Sequence, residues 1–250
     1  MKKNKWKESV KQGILIAFEG ISGSGKSEGV HKLSEYLINQ GYGTALIEWN
    51  SNQAIRKLVK ALCKKHLITP KIYSILQLIS FLLDYLIRIV PYLRKNYIVI
   101  ADRYVYTALT RDRVNGAGSF MGWLLYRLVR KPDMLFFYDT NPDICSQRIK
   151  FRGKALFHTN SIILNSKLLK NRNLYYLKKL RSEYVRLLER PEINRATSII
   201  HIKDNVESIV EDVEGYLDKK INSKIANIVN NNRGMTNGKK AAKGCYTEKY

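Results

Sequence analysis

Acidic side chains are scarce in this chain. Of its 250 residues 21 are Asp or Glu, against 44 Lys or Arg, giving a formal net charge of +23. Cysteine is scarcer still. Cys63, Cys145 and Cys245 are scattered, with no C-x-x-C pair and no histidine at metal-ligand spacing. That excludes a disulfide framework and fits a reducing cytosol. Long apolar runs are also lacking: the longest uncharged one, Ile72–Leu83, is bounded by Lys71 and Asp84 and falls short of the ~20 residues that span a bilayer. The basic N-terminus is not followed by an apolar core or a small-residue cleavage site, so a secretory signal is not expected. No internal repeat is present. These absences predict a soluble, cytoplasmic chain with no membrane contact, long enough for one large core.

Positive charge is what the chain has in excess. Residues 1–12 and 221–250 together carry +9, which leaves +14 on residues 13–220. A basic body suits phosphate-rich ligands or nucleic acid, although a Lys-rich proteome gives the same balance.

The stretch that organises the rest is Gly20-Ile21-Ser22-Gly23-Ser24-Gly25-Lys26-Ser27, which reads G-x-x-x-x-G-K-S. Before it, Gly13–Phe18 is an apolar run of strand length; after it, Val30, Leu33, Leu37 and Ile38 recur at helical spacing up to Gly41. Strand, glycine-rich turn and helix are the context of a P-loop. Its glycines let successive backbone N–H groups face phosphate oxygens at a helix N-terminus, where the helix dipole adds positive charge. Lys26 can reach the outer phosphates, and the Ser27 hydroxyl can ligate Mg²⁺. ATP and Mg²⁺ are the expected cofactors.

Further strands are expected at Thr44–Trp49, Tyr97–Ala101, Met134–Tyr138 and Ser198–Ile202, with helices between them. Thr69-Pro70 and Asn141-Pro142 read as an N-cap followed by proline at the first helical position. In the long helix after Pro70, the residues Ile72, Ile75, Leu76, Ile79, Leu82 and Leu83 are expected to form a buried stripe, with Pro91 kinking or restarting it. Asn171–Glu189 and about Val206–Lys219 read as helices. Alternating strands and helices give an α/β fold, a five-stranded parallel sheet with helices on both faces in three layers. The expected domain is 13–220, with a mobile connection over 153–170, a basic N-terminal extension (1–12) and a disordered basic tail (221–250).

Asp102-Arg103 closes the third strand, at the sheet edge where ligands of open α/β sheets bind. An Asp there can hold Mg²⁺, and an Arg can brace transferring phosphoryl oxygens. With these residues the chain resembles the thymidylate kinases and their close relatives. The resemblance rests on Phe18-Glu19-Gly20, Ile100-Ala101-Asp102-Arg103-Tyr104, Lys131-Pro132-Asp133, Tyr138-Asp139 and Gln147–Gly153. Glu48–Ser51 and Tyr104–Asp112 are similar to a thymidylate-kinase-like subgroup. It runs in order over about residues 13–219. It implies transfer of the γ-phosphoryl of ATP to a nucleoside monophosphate, dTMP to dTDP, with Lys26, Asp102, Arg103, Arg148 and Arg152 as catalytic residues. Gly20 to Ser27 would bind the nucleotide, Ser27 and Asp102 the metal, and residues 148–170 would form a lid. Glu19 would brace the P-loop rather than act as a base.

The departures fall on the acceptor side. Ser22 stands where the family usually has an acidic residue, and Asp84 aligns near an arginine for the acceptor phosphate. That implies repulsion of the acceptor and weak dTMP turnover unless Arg88, Arg111 or Arg113 compensates. The lid segment Ala155–Asn160 lacks the acidic groups expected nearby. His158 in it reads as a solvated loop residue, Lys60, Lys64 and Lys65 as a solvated helix face, and Tyr92, Tyr97, Tyr104 and Tyr106 as packing. Two alternatives stay open: an ATP-binding regulatory or catalytically weak homologue, and a kinase acting on a nucleic-acid end or other non-nucleotide acceptor, with the basic tails as a nucleic-acid contact. Oligomeric state, including a homodimer, also stays open.

Overall fold

The computed structural model describes residues 13–153, 156, 163, 171–202 and 209–219. They belong to two units, one of residues 12–206 and one of residues 1–11 with 207–250. The second is described only over 209–219, a helix with Ile209, Val213 and Leu217 buried at a four-residue spacing. The N-terminal extension, the basic tail and most of the connection over 154–170, His158 included, lie outside the described residues.

The larger unit is built on a sheet of β1 (Ile14–Gly20), β2 (Thr44–Glu48), β3 (Ile98–Asp102), β4 (Met134–Tyr138) and β5 (Ser198–Ile202). All pairings are parallel and the order is β2-β3-β1-β4-β5. Every residue of β1 and β4 is buried, as a parallel sheet covered on both faces requires. The sheet aligns Phe18 with Asp102 and Gly20 with Tyr138, so the first strand delivers the P-loop to the carboxyl edge beside both neighbours.

The helices are α1 (Lys26–Asn39), α2 (Gln53–Lys64), α3 (Pro70–Asp84), α4 (Val90–Arg94), α5 (Val105–Asn115), α6 (Phe120–Leu128), α7 (Pro142–Phe151), α8 (Arg172–Leu188) and α9 (Pro191–Asn194). Thr69, Asn141 and Asn171 each accept a hydrogen bond from an N-terminal backbone N–H of their helix. Between α3 and α4 one wide turn, Tyr85–Ile89, takes the π form and Pro91 follows it directly. The looser turn passes the chain over a residue with no N–H to donate, so the helix restarts rather than ends.

The stripe expected to be buried on α3 is not. Ile75 is 44% and Ile79 43% exposed, Ile72 and Leu83 are also exposed, and Leu76 and Leu82 are only partly covered. The inward face carries Tyr73, Ser74, Gln77, Ser80, Phe81 and Asp84 instead. Hydrogen bonds compensate much of that polar burial: Ser74 Oγ donates to Asp112 Oδ2 at 2.6 Å, Trp49 Nε1 to Gln77 Oε1 at 3.1 Å and Ser51 Oγ to Asp84 Oδ1 at 2.8 Å. By length and composition alone the run Pro70–Arg94 could also cross a membrane. The sequence expectation stopped it at Asp84, but a core helix of a soluble protein passes the same test.

Candidate active site

The P-loop joins β1 to α1 through backbone that only glycine adopts easily. Gly23 has φ +83°, and a side chain there would meet the carbonyl oxygen of Cys145 at 2.7 Å. Gly25, at φ +96°, is the residue on which α1 begins. Lys26 is buried and its Nζ donates to the Ile21 carbonyl oxygen at 3.2 Å. Burial, and next the Arg103 charge, lower its pKa to about 7. Ser27 Oγ donates to Asp102 Oδ2 at 2.8 Å, so the two residues read as metal ligands from sequence are side by side. A hydroxyl and a carboxylate oxygen at a phosphate-binding turn are the hard donors Mg²⁺ takes.

Arg103 is held in left-handed backbone, φ +74°, which a non-glycine side chain adopts at a cost on the order of 1 kcal/mol or more. Its guanidinium turns back over the P-loop. Nη1 donates to the Gly20 carbonyl at 2.8 Å and approaches Tyr184 Oη at 3.5 Å, while Nη2 approaches Ser22 Oγ at 3.5 Å. The brace behind it is Glu19. This fully buried carboxylate accepts from the backbone N–H of Tyr104 (2.7 Å) and Thr107 (3.1 Å), from Thr107 Oγ1 (2.7 Å) and from Tyr184 Oη (2.8 Å). Burial raises its pKa, while Arg103 and these donors pull the other way. One side chain thus ties β1 to the start of α5 and to α8.

Lys26, Ser27, Asp102, Arg103 and Arg152 line one cleft of about 250 Å³, with Ser22, Gly23, Ile149 and Leu156 completing its wall. Arg148 reaches the P-loop from α7, its Nη1 lying 3.4 Å from the Gly23 carbonyl. Every side chain assigned from sequence to catalysis therefore converges on the P-loop. Thr107 and Tyr184 were missed. One lay inside a motif without a role of its own, and the other read as part of an apolar helix stripe.

A family model for thymidylate kinase matches residues 18–213. The chain belongs to the thymidylate kinase family. Among curated proteins, "Probable thymidylate kinase 2" of Saccharolobus solfataricus is 37% identical over 139 residues, 56% of this chain and 65% of that protein, just under two thirds of its length. "Probable thymidylate kinase" of Archaeoglobus fulgidus is 24% identical over 212 residues, 84% of this chain and 98% of the relative. "Thymidylate kinase" of Rickettsia canadensis is 30% identical over 149 residues, 58% and 73%.

Among the chain's departures from the family, Asp84 has partners of its own. Asp84 is buried and already engaged. It takes the Ser51 hydrogen bond, and Arg88 Nη1 lies 3.7 Å from its Oδ1 while donating to Ser51 Oγ at 2.9 Å. The carboxylate expected to repel an acceptor is thus offset by an arginine one turn on. Of the other two candidates, Arg113 pairs with Glu183 at 3.3 Å, while Arg111 Nε is buried with no acceptor. Tyr104 and Tyr106 are buried, and Tyr92 packs on Tyr97 with ring centres 5.3 Å apart. Lys60, Lys64 and Lys65 are exposed, as a solvated face would have them.

Proposed function

We propose that this chain transfers the γ-phosphoryl of ATP to a nucleoside monophosphate, dTMP by the names of its relatives, forming dTDP and ADP. The observation that carries the reading is the convergence of Lys26, Ser27, Asp102, Arg103 and Arg152 on one cleft in a chain of this family.

Backbone amides of Gly23 to Lys26 cradle the β-phosphate, and Lys26 extends toward the γ-phosphate. Its Ile21 contact is the one a phosphate oxygen would replace. Ser27 and Asp102 would hold Mg²⁺, which would supply charge neutralisation on the phosphates. Arg103 is pre-aimed by Gly20 and Tyr184; Arg148 and Arg152 approach from α7. An oxygen of the acceptor phosphate attacks Pγ, the Pγ–O bond to ADP breaks, and the Pγ–O bond of dTDP forms. The attacking oxygen is already anionic, so no side-chain base is required. Positioning and charge neutralisation supply the acceleration.

The contact of Asp84 with Arg88 offsets one of the departures that motivated a catalytically weak homologue, and Ser22 is the other. The basic ends, which motivated nucleic-acid contact, lie outside the described residues. Free Cys63 and buried Cys145 support a reducing compartment, the cytoplasm. Ile72, Ile75, Ile79, Leu83 and Leu86 expose one apolar side of α3 and the turn after it, which supports a homodimer through that face. The activity is tested by measuring ADP release from MgATP with dTMP, dUMP, the other nucleoside monophosphates, and short DNA or RNA. Release stimulated first by dTMP is expected; stimulation by oligonucleotides alone would move the acceptor to a nucleic-acid end.

A further inference from the structure

Arg111 and Arg113 stand two positions apart on α5, and the fold sends them in different directions. Arg113 Nε is 3.3 Å from Glu183, whose Oε2 also takes Arg186. It is a half-exposed member of a charged surface cluster. Arg111 is half-buried and, among the described residues, has no carboxylate within ion-pair distance. Tyr73 of α3 lies beside it, close enough to feel its charge. Tyr176 and Tyr184 of α8 lie within its electrostatic reach, as does Lys26 of the P-loop. Tyrosines orient a guanidinium without neutralising it.

The packing of α3 on α5 is short of hydrogen-bond partners in the same way. α3 and α5 are joined by the bond from Ser74 to Asp112. Around that bond Gln77 Nε2, Ser80 Oγ and Asp84 Oδ2 on α3, and Arg111 Nε and Asn115 Oδ1 on α5, are buried without a partner. Folded proteins leave few such atoms, and each one costs desolvation that no bond returns. The donors among them, Gln77 Nε2, Ser80 Oγ and Arg111 Nε, are groups that an oxygen-rich anion would satisfy. The charge of that ligand follows from its neighbours. Asp112 is occupied by Ser74, Glu19 by its four donors, and Asp84 through its Oδ1 by Ser51, with Arg88 3.7 Å away. Lys26, Arg103 and Arg111 are then left with fewer anions than cations.

We propose that Arg111 binds the phosphate of the acceptor, a phosphomonoester dianion. It would supply from α5 the guanidinium that α3 does not offer at Asp84. The inference rests on the monophosphate-kinase reading and adds the residue that selects the acceptor by its charge. A guanidinium presents two parallel donors to a phosphate, which a lysine cannot match.

The test compares wild type, Arg111→Gln, Arg111→Lys and Arg113→Gln by steady-state ADP release with dTMP as acceptor, and by equilibrium binding of a fluorescent ATP analogue. Arg111→Gln should raise KM for dTMP by about 30-fold or more, as expected for losing a charge-assisted contact, with ATP affinity within about twofold of wild type. Arg111→Lys should recover part of the loss, and Arg113→Gln should leave both constants unchanged. If Arg111→Gln does not fold, Arg111→Lys alone must raise the dTMP KM several-fold. An unchanged dTMP KM, or an equal loss of ATP affinity, overturns the role of Arg111 while wild-type turnover keeps the kinase reading intact. A folded wild type with no turnover on any monophosphate overturns both.

Discussion

Lys26 and Asp112 show what a buried charge does in this protein, with opposite consequences. Lys26 is buried beside another cation, a position that makes sense once phosphate oxygens arrive. Lys26→Ala should lower turnover by ~10³-fold or more, as for other charge-stabilising groups in phosphoryl transfer; a rate near wild type would remove it from the site. Asp112 is buried and its pKa is raised to about 6 from 3.8, by burial first, with Ser74 and Arg111 opposing. A carboxyl that binds its proton more tightly when folded stabilises the fold most below pH ~4. That contribution is lost as pH rises through about 6. Asp112→Asn keeps a neutral acceptor for Ser74. Denaturation at pH 4 and pH 7.5 should show the variant gaining relative to wild type at the higher pH, by an amount on the order of 2 kcal/mol; an equal difference at both pH values would contradict the buried-charge account. At this scale the nucleotide side was legible, because a P-loop and an Asp-Arg pair need particular residues at particular spacings. The Glu19 network was not, since Thr107 and Tyr184 acquire their role only when α5 and α8 pack on β1.

Among the elements, those with local signals were read closely and those without were not. All five strands are in place, and the helix starts at Thr69-Pro70 and Asn141-Pro142 form as their sequences indicate. α5 escaped notice as a helix because Val105 to Thr110, Asp112, Val114 and Asn115 are all buried, and burial on every side erases the apolar period that marks a surface helix. On α3 the period was present but pointed the wrong way: its aliphatic side faces out and its polar side packs inward on Trp49, Ser51 and α5. If the outward side joins two copies, Ile79→Glu should convert a dimer to a monomer in sedimentation with catalysis by each folded chain retained; a monomeric wild type would refute that interface. Tyr184→Phe removes one donor from Glu19 and a neighbour from Arg103. It should cost about 1–2 kcal/mol in stability, and it should lower kcat more than it alters the KM for ATP. A loss of stability with kcat unchanged would leave Tyr184 a purely structural tie.

For the molecule as a whole, the parallel sheet sets one edge on which the P-loop, Asp102-Arg103 and the arginines of α7 meet. The positive balance of the chain suits that edge if its ligands are the phosphates proposed above. The sequence showed the layers in advance and named the residues that the structure brings together at the P-loop, because both follow from chain-local patterns. Which face of α3 turns inward, and how Ser51, Asp84 and Arg88 combine, are not local and were not legible. The most direct test is to follow the label from γ-³²P ATP when folded protein is mixed with Mg²⁺ and dTMP. The account predicts label in dTDP, dependent on dTMP and abolished by Lys26→Ala. Label released only as inorganic phosphate, or remaining in ATP whatever monophosphate is supplied, would contradict it.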